Sequence, residues 1–174
     1  MPAAFPDGIS DEHLDEPPRR AIHPTWIGLL VLGGILAASL FGVFGGHRND
    51  TLRQAANGVE LSVSTPRTLR NGEFFEIRIE LSASRPIAQP AIAISATSLR
   101  DLTINTTMPE PAGEKFGDGA FLLEYDPLAP GDTLTVKIDG QSNPTLFGGT
   151  KGRLEVRDGE AVLAAVPLDI RVLP

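Results

Sequence analysis

Residues 74–81 read FFEIRIEL, and the spacing within that stretch decides the fold. Phe75, Ile77, Ile79 and Leu81 alternate with Phe74, Glu76, Arg78 and Glu80. Successive side chains of a strand point to opposite faces of a sheet. A period of two therefore puts four apolar groups on one face and the three charges on the other, which predicts a half-buried strand. The period recurs in both directions. Upstream, Val59, Leu61 and Val63 alternate with Glu60, Ser62 and Ser64, and residues 66–72 turn the chain. Downstream come Ile92 and Ile94, then Leu102 and Ile104, then a loop over 108–119 with two prolines and three glycines. Phe121, Leu123 and Tyr125 follow, then Leu134, Val136 and Ile138, then Leu154 and Val156. The last run is Val162, Ala164, Val166, Leu168, Ile170 and Val172. Asp158-Gly159 is a hairpin signal, and Pro167 marks an edge, a bulge or a sheet switch.

About seven to eight short strands separated by turn residues, with no helical segment among them, predict an all-β domain over 58–174. The expected architecture is an antiparallel Greek-key sandwich. A closed barrel shares the period, but the long 108–119 loop and Pro167 suit a sandwich better. Each inward side chain contributes about 1.5–3 kcal/mol on full burial, enough in sum for a core without disulfides.

The segment Leu128-Ala129-Pro130-Gly131-Asp132-Thr133-Leu134-Thr135-Val136 resembles the L-x-P-G-x-x-x-x-V lead into a strand of bacterial immunoglobulin-like surface modules. The resemblance covers nine residues. It implies an immunoglobulin- or fibronectin-type sandwich, and a role in binding, spacing or supporting other proteins. The Cys–Trp–Cys signature of antibody-type domains is absent, because the chain has no cysteine.

The first part of the chain is different. Residues 1–23 are rich in proline and acids and show no apolar period, as expected of a disordered tail. Residues 24–46 carry no charged side chain. As a helix, 23 residues would be about 34 Å long, enough to cross a hydrocarbon core of about 30 Å with some tilt. Pro24 suits a first helical turn and Trp26 a membrane interface. The preceding region is long and acidic, and the apolar run continues past Ala37-Ala38-Ser39, so an uncleaved anchor is expected in preference to a signal peptide. Gly34, Ala38, Gly42 and Gly46 are spaced four apart. Small residues at that spacing let two helix backbones approach closely in lipid, where apolar burial gives no gain. The expected partners are thus the bilayer and another transmembrane helix, from a second copy or a multi-span protein. Arg19 and Arg20 flank one end and Arg48 and Arg53 the other, so orientation is nearly balanced by charge. The type of domain favours an extracytoplasmic C-terminal part. Residues 47–57 read as a polar linker.

Chemistry is limited by what is missing. The net charge of −7 and the lack of a basic stripe argue against nucleic acid as a partner. Without cysteine there are no disulfides, thiolate nucleophiles or Cys-based metal sites. The three histidines, His13, His23 and His47, all precede the sandwich, so a Ser-His-Asp triad or an ordinary zinc site within it is not expected. Glu124 and Asp126 share one face of a strand, with Asp118 and Glu114 nearby in sequence. They are candidates for calcium or for a carboxylate pair, against the plainer reading of a solvated face. Gly148-Gly149-Thr150-Lys151-Gly152 lacks the order of a phosphate loop. Phe74 stands on an otherwise charged face and is a candidate partner contact. No cofactor is implied. The expected function is that of a non-enzymatic, single-pass membrane protein displaying the sandwich for protein or envelope contacts, as an accessory subunit of a membrane assembly. The other readings are a tethered ligand or calcium sensor, and a carboxylate-based hydrolase.

Overall fold

The period-two run becomes the central strand of a five-stranded sheet. The computed structural model describes residues 25–41, 43, 49–144 and 148–174. In chain order its strands are β1 (Asp50–Ala56), β2 (Val59–Thr65), β3 (Thr68–Arg70), β4 (Phe74–Ala83), β5 (Pro90–Ser95) and β6 (Leu102–Met108). Then follow β7 (Gly113–Gly117), β8 (Ala120–Glu124), β9 (Thr133–Ser142), β10 (Arg153–Asp158), β11 (Ala161–Pro167) and β12 (Arg171–Leu173). One sheet has the order β1-β2-β4-β9-β6 and the other β11-β10-β5-β8-β7; β12 and β3 form a separate parallel pair. Both large sheets are antiparallel throughout.

The predicted inward positions of β4 are buried: Ile77 and Ile79 at 0%, Leu81 at 1% and Phe75 at 6% exposure. They join Leu61, Val63, Val136 and Ile138 of their own sheet and Ile92, Ile94, Leu154 and Val156 of the other in one apolar cluster. A sandwich-like, all-β fold is therefore what the alternation builds. The Leu128–Val136 segment behaves locally as a strand lead. Gly131 takes a positive φ of 94°, Asp132 accepts a hydrogen bond from Ala129 N at 2.7 Å, and β9 begins at Thr133.

Among the described residues there are twelve strands where seven or eight were expected. The expected linker over 47–57 contains β1, the turn over 66–72 contains β3, and the loop over 108–119 contains β7. Two of these arise from tight hairpins. Asn57 and Gly58 have φ of 49° and 76°, and Asp118 and Gly119 have φ of 52° and 72°. Each dipeptide joins paired residues, Ala56↔Val59 and Gly117↔Ala120. Two central residues with positive φ make a type I′ turn, whose twist matches that of antiparallel strands. Each turn folds a polar neighbour back onto β2 or β8 as an extra strand.

A second difference lies in β11. Val156 pairs with Ala164 and Arg157 with Val162, so Leu163 is the extra residue of a bulge. A bulge reverses the alternation beyond it. Leu163 is 3% exposed, whereas Val162, expected inside, is 46% exposed.

The strands belong to one compact unit, Phe44–Pro174, and the described helix to another, Met1–Val43. That helix, α1, spans Thr25–Leu40, has 16 residues and buries none of them. Its length of about 24 Å is short of a hydrocarbon core. Among the described residues, no helix is long and apolar enough to cross a membrane. Helix-like hydrogen bonds do continue beyond it, from Phe41 N to Ala37 O and from Val43 N to Ala38 O, both 2.9 Å. The expected tail over 1–23 lies outside the described residues, as do Gly42 and Gly46 of the small-residue face. Gly34 and Ala38 lie on α1, and among the described residues a Cβ added at Gly34 would meet nothing within 4 Å beyond its chain neighbours and the adjacent helix backbone.

Candidate functional site

The two long sides of the sandwich differ. On one, β1 and β11 are stitched together by side chains. Gln54 Oε1 accepts a hydrogen bond from Ala165 N at 2.8 Å, and Asn57 Nδ2 donates one to Leu163 O at 2.8 Å. On the other, β6 ends the first sheet and β7 ends the second. A cleft of about 280 Å³ opens between them, lined by Ile94, Leu102, Ile104, Glu114, Phe121 and Ile138 among others. Ile94 and Ile138 are core residues at 1% exposure, so the cleft reaches the centre of the domain.

Its rim is apolar. Phe116 and Phe121 stack with ring centroids 5.0 Å apart and planes inclined by 59°. Phe116 is 64% exposed and Phe121 43%, whereas Met108, 52% exposed, is in register with Lys137 on the outer face of the first sheet. The hairpin at Asp118-Gly119 brings the two rings together, because Phe116 and Phe121 are paired across it. Glu114 is the one ionisable residue of the lining. Close by, the Tyr125 hydroxyl is buried without a hydrogen-bond partner. Its pKa is pushed up to about 12, first by burial and second by the negative charge of Glu114. Both effects disfavour a phenolate.

A larger cleft of about 480 Å³ is lined by Asp50, Thr65, Arg67, Thr150, Asp169 and Arg171 among others. Leu52, Pro167 and Ile170 also line it, and both of its acids are engaged: Arg67 Nε lies 2.7 Å from Asp50 Oδ2, and Asp169 Oδ1 accepts from Gly152 N at 3.1 Å. The glycine loop beside it is shaped by packing. A Cβ on Gly149 would collide with Ile170 O, and Thr150 bridges Ile170.

The acidic residues singled out in the sequence are held apart. Glu124 Oε1 accepts from Lys115 Nζ at 2.6 Å. Asp118 occupies the turn at the opposite end of β8, where its positive φ closes the hairpin. Asp126 lies past the end of β8 and is exposed. Among the described residues, no three His, Asp or Glu side chains are grouped so as to hold a metal ion. Phe74 is 70% exposed and in register with Gln141. It stands on the outer face of the first sheet and does not line the cleft. The sequence reading missed Phe116, Met108 and Ile104 as surface groups. The available signal was Asp118-Gly119, a dipeptide of the same type as Asp158-Gly159, with a phenylalanine placed two residues to either side.

No family model and no curated protein matches the chain. Among solved structures, it is similar to the chitin-binding domain of a chitinase from Pyrococcus furiosus. The TM-score is 0.40 at 12% sequence identity, over 66% of this chain and 100% of that one.

Proposed function

We propose that the chain is a non-enzymatic, single-pass membrane protein that displays an immunoglobulin- or fibronectin-like sandwich as a binding module, an accessory subunit of a larger membrane assembly. The observation that carries the reading is α1. It has sixteen residues without a charge and none of them buried, and the uncharged run continues in the sequence to Gly46. A helix with no polar face and no buried residue needs an apolar surround. Gly34 and Ala38 offer a smooth face for a neighbouring helix in that surround. The binding role is supported by the open side of the sandwich, an apolar cleft with one charged group. The absence of histidine and cysteine from residues 49–174 and the separation of the carboxylates support a role without catalysis.

The test is fractionation of cells expressing the full chain. Retention in the membrane pellet through an alkaline carbonate wash, with release by detergent, is expected. Release by carbonate or recovery in the soluble fraction would refute the anchor. Protease added from outside should degrade the sandwich and spare the N-terminal segment; the reverse pattern would place the module in the cytoplasm.

A further inference from the structure

We infer that the free edge of β6, with the cleft beside it, takes an extended, basic-flanked segment of a partner protein as a sixth strand of the first sheet. One large apolar side chain of that segment fills the cleft. The inference rests on the binding role proposed above and locates it.

Three observations carry it. The first is the edge itself. An unpaired strand edge is a template for another strand, and proteins usually blunt it with charges, proline or a cover. The edge strands β1 and β11 cover each other, and β7 has five residues, two of them charged. β6 has seven residues, LTINTTM, with no charge, proline or glycine, and four of its seven are β-branched. Its bulge at Asn105, where Ile104 pairs with Gly140 and Thr106 with Asp139, divides the edge without ending it. The second is the cleft. At about 280 Å³ it lies just under the usual range for small-molecule sites, about 300–1,000 Å³, and suits a single large side chain next to an added strand. The third is charge. Glu114 lines the cleft and is exposed, and the exposed Glu110 follows the end of β6 by two residues; neither forms an ion pair among the described residues, while Lys115 is committed to Glu124. A basic segment complements this rim. A second copy of the chain would bring the same acids against it, which disfavours self-association through this edge.

The full chain in detergent micelles is titrated with two fluorescent blocked nonapeptides, KTVTFTVTK and ETVTFTVTE, followed by anisotropy. The basic peptide should bind at least tenfold more tightly. Ile104→Asp should weaken it at least tenfold, and Glu114→Gln should reduce the preference for the basic peptide about threefold. Equal binding of the two peptides, or an unchanged preference in Glu114→Gln, overturns the inference whether or not Ile104→Asp folds. In cells, a benzophenone amino acid is placed at Ile104, Phe74 or Leu122 of the full chain. Adducts from position 104 to a basic-flanked segment of another protein support the inference. Adducts from 104 to a second copy or to an acidic segment overturn it. Adducts through 74 or 122 without any at 104 overturn it and leave the binding role standing; no adducts from all three overturn both.

Discussion

Arg157 grips Glu155 from two residues along the same strand, with Nη2 at 2.6 Å and Nε at 2.9 Å from Oε2. Arg153 holds the other oxygen, Oε1, at 2.7 Å from its Nε. The Glu155 side chain is 5% exposed and that of Arg157 17%. The neighbours of Glu155 in register are the small residues Ala93 and Ala165. A buried carboxylate stripped of its partners costs about 3–5 kcal/mol. Arg157→Met leaves Arg153 in place, so a loss of about 2 kcal/mol is expected. Combining it with Glu155→Leu should recover most of that. Thermal melts of the three variants by circular dichroism check the order; a double variant less stable than Arg157→Met would contradict it.

The bulge in β11 sets up a contrast between adjacent residues. Leu163 is in the core and Val162 is largely in solvent. Leu163→Ala should cost about 2–4 kcal/mol through the cavity it leaves. Val162→Ala should cost about 0.5 kcal/mol or less. Simple alternation predicts the reverse, so chemical denaturation of the two variants discriminates between the arrangements.

Gly140 is a point of close approach within the first sheet. A Cβ there would lie 2.5 Å from Phe75 Cζ and 2.7 Å from the Thr103 carbonyl oxygen. Cζ lies on the ring's own rotation axis, so turning the ring brings no relief, and the backbone of β6 is held in the sheet. Gly140→Ala is expected to destabilise by about 1–3 kcal/mol and to speed amide exchange in β6 before the other strands. Uniform exchange across the sheet would count against this.

Tyr125 predicts an alkaline limit to stability. Its hydroxyl ionises near the ordinary value of 10.0 when unfolded and at about 12 when folded. The folded state thus holds the proton more tightly between those values. The contribution is fully present below pH 10 and is lost as pH rises through about 12. Allowing for solvent screening, it amounts to roughly 1–2 kcal/mol. Tyr125→Phe should flatten this part of the stability profile. At neutral pH it should be neutral or slightly stabilising, since it removes a buried hydroxyl without a partner. Unfolding curves at pH 7 and pH 11 provide the measurement.

The core was legible in the sequence because burial follows period two, as Phe75 through Leu81 illustrate. What escaped was set by turns and by register. β1 and β7 look polar, and only the φ-permissive pairs Asn57-Gly58 and Asp118-Gly119 mark them as hairpin arms. The bulge at Leu163 cannot be read from alternation, because an extra residue leaves no trace in composition. The acidic candidates were adjacent in sequence but not in space. Asp118 and Glu124 sit at opposite ends of β8, and Glu124 answers to Lys115. The open cleft was hidden for a different reason. Ile104 and Phe121 continue the inward alternation, and only the sheet order shows that no strand closes over them.

The pairing of β12 with β3 joins Arg171 to Thr68 and Leu173 to Arg70, across most of the domain's length. Among the described residues β3 has no other strand partner. During synthesis Thr68–Arg70 therefore emerges early and waits for its strand partner until Leu173 has left the ribosome. Vectorial translation makes this latch a late event, and a message broken shortly before codon 171 would yield a chain with both large sheets encoded and the clasp missing.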